Sequence, residues 1–458
     1  MRRTGLRFAA ATAVLAVSAT GCATVLRGTG EYSRNLGTVA DAKVDIKGLP
    51  ATGPTDVDRI AGNAIADIQQ FWTEKFPQTF GGKQYQGPQG GFFSVDPANS
   101  SGQIPCVSSP SQIRGNAFYC PPKDIVAWDR VNLFPQLKEK FGDFLIAMVL
   151  AHEWGHVIQT KSGVDPGRTI VRETQADCYA GAWTRWALRG QAPHFPIERK
   201  KLDDALAGYL LFRDPIGSSA NDEQAHGNGF DRISAFQEGF EQDVTHCKGF
   251  DETRKFTEIS FTQPEDANRN GNLPFDGNGG ALTVGQGDLD QTWPDLFSQR
   301  FGKTFDKPKS DVVQSGQRGD CDGQQTNQGV FYCASNNTLI LDHDGLKTVS
   351  DRLDGSDYAP MTLVGIGYAE SVAKQGGLGI DGADGLRRAI CLDGAYTRVV
   401  VDRPPTQDVV TLSPGDLDEA MQALLFYAGL DDFFGARGLF GFDRVQAYRQ
   451  GFTDIKNC

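Results

Sequence analysis

Two short segments of the sequence together carry the side chains that a zinc hydrolase needs. The first contains His152, Glu153 and His156, and the second contains Glu173 and Asp177. Residues four apart lie on one face of a helix, so His152 and His156 can offer two imidazole nitrogens to one tetrahedral zinc ion, with Glu153 beside the metal. We expect Glu173 to be the third ligand, and Asp177 to accept the outer N–H of a ligand histidine. The fourth zinc position is left for water.

The sequence around the histidine pair favours a helix. The apolar run from Phe144 to Leu150 leads directly into the motif, with Asp143 as a candidate N-cap and Gly163 as a candidate C-terminal stop. Two other interpretations stay open, a chance match on a surface helix and a purely structural zinc site. Structural zinc sites, however, usually close the tetrahedron with cysteines.

Four segments of the chain resemble the bacterial putative neutral zinc metallopeptidase family in their order and in their residues: Phe118–Pro121, His152–Gln159, Glu173–Gly181 and Asp222–Arg232. The resemblance covers roughly residues 55 to 250. It implies a zincin-like catalytic domain in which His152, His156 and Glu173 bind zinc. Glu153 is then the catalytic glutamate. Trp154 departs from the smaller or aliphatic residue expected at its position, which is not a ligand position.

This chemistry would act on a protein or peptide substrate. Zinc lowers the pKa of a bound water to about 7 and polarises the scissile carbonyl, and Glu153 takes the proton and hands it to the departing amine. His226 is the first candidate for a donor to the oxyanion, because it lies in a glycine-rich segment like that of the family, and Tyr179 is the second. An ordinary surface-loop histidine is the alternative interpretation of His226.

A non-enzymatic function is also compatible with the candidate zinc ligands. The chain could be a non-catalytic surface binding protein that retains a structural zinc site for stability. Glu153 favours the enzyme, because a structural site has no use for a base beside the metal.

The N-terminus predicts export. Two arginines are followed by an apolar stretch from Phe8 to Ala19 and then by Cys22, so residues 1–22 resemble a lipoprotein signal peptide whose cysteine is lipidated. A simple secretory peptide is the alternative, and a single-span anchor fits less well because a bilayer needs ~20 apolar residues. We therefore expect an exported protein, anchored by lipid to the outer face of the cytoplasmic membrane.

Composition limits the remaining classes. A net charge of -12 argues against nucleic-acid binding and against a polybasic membrane patch. The 458 residues, 39% of them hydrophobic, can bury two cores of ordinary size. If Cys22 carries lipid, eight of the nine cysteines remain in an oxidising compartment, which favours four disulfides over free thiols.

The chain repeats itself after about 213 residues, which indicates a duplication. The following pairs recur in order: Phe118–Cys120 and Phe331–Cys333, Cys178 and Cys391, Leu202–Leu206 and Leu417–Met421, Gly229–Arg232 and Gly441–Arg444, and Cys247 and Cys458. The second copy lacks the ligands, since Leu386 and Ile390 replace Glu173 and Asp177, and no histidine follows His343. We expect a degenerate copy in which packed side chains fill the position of the zinc cleft. The repeat also predicts the disulfides Cys106–Cys120, Cys178–Cys247, Cys321–Cys333 and Cys391–Cys458.

These observations predict an α+β protein made of two copies of one zincin-like fold. We divide the chain into a signal peptide (1–22), a tether (23–52), a metallopeptidase domain (53–250), a linker (251–284) and a degenerate domain (285–458). Each copy should begin with a helix around Trp72 or Trp293, pass through a strand at 119–128 or 332–341, and continue as helices.

One stretch of the linker has a second interpretation. Residues 266–271 match the first half of a calcium loop through Asp266, Asn268, Asn270 and Gly271, but Gly277 stands where that loop needs a bidentate glutamate. A turn-rich linker is the better interpretation.

Overall fold

The structure is a computed structural model that describes residues 40–458 apart from 100–102, 224, 262–263, 315–316, 327, 405–409, 427–432 and 436. The predicted signal peptide, Cys22 and the first part of the predicted tether lie outside the described residues. Within the described ranges, no helix combines the length and apolar character needed to cross a membrane.

Residues 46–250 form a four-stranded sheet covered by helices, an α+β arrangement. Its elements are β1 (Ile46–Lys47), α1 (Asp56–Thr79), β2 (Gly91–Val95), β3 (Ala117–Cys120), β4 (Ile125–Asp129), α2 (Leu133–Phe141), α3 (Asp143–Ser162), α4 (Thr169–Trp186), α5 (Arg199–Tyr209), α6 (Gly229–Gln242) and α7 (Val244–Lys248). The strand order is β1-β2-β4-β3, with β1, β2 and β4 parallel and β3 antiparallel at the edge.

The strand β1 lies inside the segment predicted as a tether, so the sheet of the first segment begins before residue 53. Ile46 pairs with Phe92 of β2, and Val44 and Ile46 pack against the core. These two apolar residues alternate with charged ones, which is the pattern of a half-buried strand. The pattern is too short to stand out in a polar segment.

The helix α3 carries the histidine motif through the core. Every residue from Phe144 to Leu150 is buried, as the apolar run predicts. Gly142, with a φ of 83°, is the N-cap instead of Asp143. The carboxylate of Asp143 lies in the first turn, where it interacts favourably with the helix dipole. Gly163 ends the helix in the left-handed conformation, with a φ of 73°.

Residues 281–458 contain elements in a similar order. They are α8 (Ala281–Phe301), β5 (Lys309–Val313), β6 (Gly319–Cys321), β7 (Gln324–Thr326), β8 (Val330–Cys333), β9 (Thr338–Asp342), α9 (His343–Arg352), α10 (Tyr358–Gly376), α11 (Gly382–Val401), α12 (Asp416–Phe426) and α13 (Gly441–Thr453). In the sheet β5-β9-β8, β5 is parallel and β8 antiparallel to β9, the arrangement of β2, β3 and β4. The helix α8 begins inside the predicted linker, three residues before its end at residue 284.

The sequence predicts one strand at residues 119–128 and one at 332–341, but the structure has two antiparallel strands joined by a tight turn in each place. Between β3 and β4 the turn contains Pro121 and Asp124, the latter with a φ of 53°, and between β8 and β9 it contains Asn337, also with a φ of 53°. Proline cannot donate to a ladder, and aspartate and asparagine tolerate the left-handed region, so the chain reverses at these residues.

Four disulfides staple the two segments internally, with the predicted pairing: Cys106–Cys120, Cys178–Cys247, Cys321–Cys333 and Cys391–Cys458. Cys178 lies on α4 and Cys247 on α7, so this bridge ties α4 to the end of the first segment.

The two segments contact each other through reciprocal hydrogen bonds. Asp203 of α5 accepts bonds from the backbone N–H groups of Gly441 (2.7 Å) and Phe442 (2.8 Å) at the start of α13. Conversely, Asp418 of α12 accepts a bond from the N–H of Phe230 (2.9 Å) at the start of α6. Two aromatic pairs lie across the same contact, Phe230–Phe452 and Phe240–Phe442.

Candidate metal centre

Two helices bring the predicted zinc ligands together. The helix α3 places His152 and His156 one turn apart, and α4 places Glu173 against both rings. Nε2 of His152 lies 3.2 Å from Oε2 of Glu173, and Nε2 of His156 lies 3.4 Å from Oε1 of the same carboxylate. The ligand atoms of the three residues all lie within 4.8 Å of one another.

The spacing of these atoms fits a tetrahedral zinc ion. Zinc binds imidazole nitrogen and carboxylate oxygen at about 2.0 to 2.2 Å, so neighbouring ligand atoms of a tetrahedron lie about 3.3 to 3.6 Å apart. The two separations in the structure, 3.2 and 3.4 Å, agree with that edge length. His152, His156 and Glu173 would therefore hold zinc, and three protein ligands are the number typical of a catalytic site.

A buried network holds His152 from behind. Nδ1 of His152 lies 2.7 Å from Oδ1 of Asp177, so this carboxylate accepts the outer N–H and leaves Nε2 for the metal. Arg232 donates to both oxygens of Asp177, at 2.9 and 2.8 Å, and the hydroxyl of Tyr209 donates to Oδ1. All four side chains are buried.

Charge in this network moves two pKa values in opposite directions. Burial raises the pKa of Asp177, but Arg232 and His152 outweigh burial and lower the pKa to about 2. Burial lowers the pKa of His152, but the carboxylates of Asp177 and Glu173 raise the pKa to about 10. Because a ligand histidine must be deprotonated at the metal-binding nitrogen, zinc binding competes with protonation of His152.

Gln159 orients the second histidine ligand. Its Oε1 lies 3.0 Å from Nδ1 of His156, and its Nε2 donates to the carbonyl of Arg172 at 2.7 Å. Gln159 lies on α3 and Arg172 on α4, next to Glu173. The side chain thus couples one ligand to the helix that supplies another.

Glu153 lies beside the ligands in a position suited to a base. It is 9% exposed, and its Oε2 accepts a bond from the backbone N–H of Tyr119 in β3 at 2.9 Å. Burial raises the pKa of Glu153 above its usual range, although the neighbouring histidines oppose the rise. The edge strand therefore fixes one oxygen, and the raised pKa makes the carboxylate a better proton acceptor.

The centre opens into a cleft of about 1250 Å³. Its walls come from β3, from α3 and α4, and from the segment that runs from Phe212 to His226. This volume exceeds the about 300 to 1,000 Å³ typical of small-molecule pockets. The cleft is therefore large enough for a segment of polypeptide.

The structure separates the two candidates for an oxyanion donor. His226 lines the cleft with a side chain that is 51% exposed, and Asp214 accepts a bond from its backbone N–H at 2.7 Å. Its catalytic role stays a prediction. Tyr179 is 1% exposed and packs edge-on against Trp72 in the core. Because its hydroxyl is buried there, the choice of Tyr179 as second candidate was wrong.

The helices α10 and α11 of the second segment carry different side chains from α3 and α4. Leu386 and Ile390 of α11 are 2% and 0% exposed. Counted back from the glycine that ends each helix, Glu370 of α10 holds the place that His156 holds on α3. Glu370 is buried and forms an ion pair with Arg437. A buried ion pair thus stands where the first segment has a candidate metal ligand.

Sequence reasoning missed three residues of the centre, Gln159, Tyr209 and Arg232. Gln159 could have been found, because it follows His156 by three residues and shares its helix face. Tyr209 and Arg232 lie 57 and 80 residues after His152 and reach it only through the packing of α5 and α6. No local spacing signals such partners.

Comparison with known proteins points to the same segment. The model of the family described as "Putative neutral zinc metallopeptidase" matches residues 46–250. The chain is 28% identical over 211 residues to "Uncharacterized protein YpfJ" of Escherichia coli (strain K12), across 41% of this chain and 69% of that protein. It is 29% identical over 177 residues to "Uncharacterized protein Rv2575" of Mycobacterium tuberculosis, across 33% of this chain and 60% of that protein. No solved structure matches the chain.

Proposed function

We propose that this protein is a zinc-dependent peptidase that hydrolyses peptide bonds in the cleft of its first segment. One observation carries the proposal: Glu153 lines the same cleft as His152, His156 and Glu173 but is not part of the group whose ligand atoms converge. A structural zinc site needs no base and usually has cysteine ligands. In this chain the eight cysteines for which the repeat predicts disulfides are all paired in the structure, so none of the eight is available as a zinc ligand.

The residues of the chain then have distinct roles. When bound, zinc supplies Lewis acidity that lowers the pKa of a water molecule and polarises the peptide carbonyl. Glu153 takes the proton of the attacking water and passes it to the leaving amine. Asp177 keeps the Nδ1 proton on His152, and His226 donates to the oxyanion from the cleft wall.

Glu153→Gln is the direct test of this function. The variant keeps the shape and the zinc ligands but lacks the base, so peptidase activity should fall by about 100-fold or more. Wild type and variant are incubated with a cell-envelope extract, with and without a chelator, and new peptide termini are identified by mass spectrometry. Glu139→Gln, an exposed glutamate on α2, is the matched control. Each protein should contain close to one zinc ion.

The alternative function predicts another outcome of the same experiment. A non-catalytic surface binding protein with a structural zinc site would bind zinc and lose stability in chelator. It would, however, release no chelator-sensitive termini, and Glu153→Gln would behave like the control.

We infer an exported location with Cys22 as the lipid-bearing residue. The four disulfides support an oxidising compartment. Cys22→Ala should move the protein from the membrane to the soluble fraction without lowering its melting temperature, because the lipid on this residue supplies the attachment. Membrane retention of this variant would favour an uncleaved signal helix.

We further propose that residues 285–458 are a degenerate copy of residues 53–250. The shared order of elements, the similar sheets and the two pairs of disulfides support a common origin. The copy lacks the imidazole ligands, so we infer that it stabilises the catalytic segment.

A further inference from the structure

A second group of buried acidic side chains lies in residues 281–458. Asp357 immediately precedes α10, and Asp416 and Glu419 lie in the first turn of α12. Each of the three offers a carboxylate oxygen within 4.8 Å of the other two. The residues are 7%, 4% and 7% exposed. The donors are all oxygen, unlike those of the candidate metal centre.

Two arginines act electrostatically on this acidic cluster, Arg213 on Glu419 and Arg269 on Asp357, but each forms its ion pair with another carboxylate. Arg213 pairs with Asp418 at 3.4 Å, and Arg269 pairs with Asp266 at 2.9 Å. Burial raises the pKa of Asp357 to about 6, and burial together with Asp357 raises the pKa of Glu419 to about 7. Three buried like charges are unfavourable unless protons or a cation neutralise them.

Asp357 also has a carboxylate oxygen that receives no hydrogen bond from the described residues. Its Oδ2 accepts a bond from the N–H of Leu273 at 2.8 Å, whereas its Oδ1 is buried and accepts no hydrogen bond from the described residues. Asp416, by contrast, accepts two bonds from Ser413, and Glu419 accepts bonds from Ser356 and Tyr358. A buried carboxylate oxygen without a partner indicates a place for a ligand.

The surroundings leave room for a hydrated ion. A cavity of about 240 Å³ is lined by Asp357 and Asp416, by Asp266, Arg269 and Gly271 of the segment that resembles half of a calcium loop, and otherwise mainly by apolar residues. Several water molecules of about 30 Å³ each fit in this volume. Among the described residues of the first segment no matching group occurs, since Gly142 holds the N-cap place of Asp357 and Lys201 aligns with Asp416.

We propose that Asp357, Asp416 and Glu419 bind one calcium ion. Oxygen-only donors select hard cations, and calcium accepts six to eight oxygens at about 2.3 to 2.6 Å in irregular geometry. Carboxylate oxygens within 4.8 Å of one another can therefore share one ion. The ion would join the start of α10 to α12. The helix α12 also carries Asp418, which contacts Phe230 of the first segment.

Titration with calcium chloride tests the proposal. The zinc-loaded protein is freed of other metals and titrated by calorimetry with calcium chloride and, separately, with magnesium chloride. One calcium ion should bind per chain, more tightly than magnesium. Asp416→Asn and Glu419→Gln should weaken calcium binding by about tenfold or more, because ligand charge sets the affinity of such sites. Asp295→Asn, at an exposed position of α8, should leave it unchanged.

Melting temperature distinguishes calcium binding from a purely structural role. In calcium-free buffer, Asp416→Asn and Glu419→Gln remove repulsion and should melt at or above the temperature of the wild type, whereas in calcium the order should reverse. The proposal is wrong if the wild type binds no calcium, or if both variants bind it as the wild type does. An equal loss of stability in both buffers would also overturn it. Titration of the wild type decides the matter even if a variant does not fold.

Discussion

Asp177 has two functions in the candidate metal centre. It fixes the tautomer of His152 through Nδ1, and it neutralises Arg232, which is only 3% exposed. Neither function depends on contact with the metal. A residue outside the ligand set therefore controls both the direction of a ligand nitrogen and the stability of the buried network.

We expect Asp177→Asn to weaken zinc binding and to destabilise the fold. Zinc affinity should fall by about 10 to 100-fold, as is usual when a hydrogen-bond partner of a ligand is lost. The free energy of unfolding should fall by about 3 to 5 kcal/mol, because Arg232 becomes an unpaired buried charge. Competition with a chelator measures the first effect and denaturant unfolding of the metal-free protein the second.

Asp165→Asn is the matched control for that variant. Asp165 also pairs with an arginine, Arg172, but its side chain is 69% exposed. Its loss should change stability by at most about 1 kcal/mol. If Asp177→Asn had effects as small as this control, the network behind His152 would not matter.

Among the elements, the close packing of α3 on α4 sets the distance between the histidines and Glu173. Gly155, inside the histidine motif, permits this approach, since a Cβ at its position would lie 2.5 Å from Cα of Ala176. The contact partner is backbone, which cannot move without shifting α4. The glycine is therefore required by the helix crossing.

Gly155→Ala should force the two helices apart. Overpacking of this kind costs about 1 to 3 kcal/mol of stability, and zinc affinity should fall because Glu173 moves with α4. Gly287→Ala is the control, because this exposed glycine of α8 has no neighbour within 4 Å of the added Cβ. The control should gain about 0.5 to 1 kcal/mol. Unchanged zinc affinity in Gly155→Ala would show that the crossing does not set the ligand geometry.

The elements also show where the sequence is informative. The helix α3 and the pairs His152–His156 and Glu173–Asp177 could be predicted, because helical periodicity is a local signal. The turn at Asp124 and the strand at Ile46 were missed, since each depends on a few residues in an irregular stretch. Tyr209 and Arg232 could not be assigned, because tertiary packing alone brings α5 and α6 to His152.

For the whole molecule, the same two helices serve the centre and the contact between the segments. The helix α5 carries Asp203, which contacts α13, and ends at Tyr209 in the network behind His152. The helix α6 begins at the contact with Asp418 and carries Arg232. The second segment therefore holds the helices that complete the first segment's network.

This arrangement predicts that the first segment depends on the second. Residues 40–250, a fragment that includes β1, should melt below the full chain, by about 2 to 4 °C for each kcal/mol of lost contact. Its zinc affinity should fall by about tenfold or more, because Tyr209 and Arg232 lose the support of their helices. Asp203→Asn in the full chain should produce part of both effects, whereas Asp204→Asn, its half-buried neighbour, should produce neither.

A fragment that equals the full chain in melting temperature, zinc affinity and activity would make residues 285–458 dispensable. If the fragment lost stability but kept the zinc affinity of the full chain, the contact between the segments would support the fold without positioning the network behind His152.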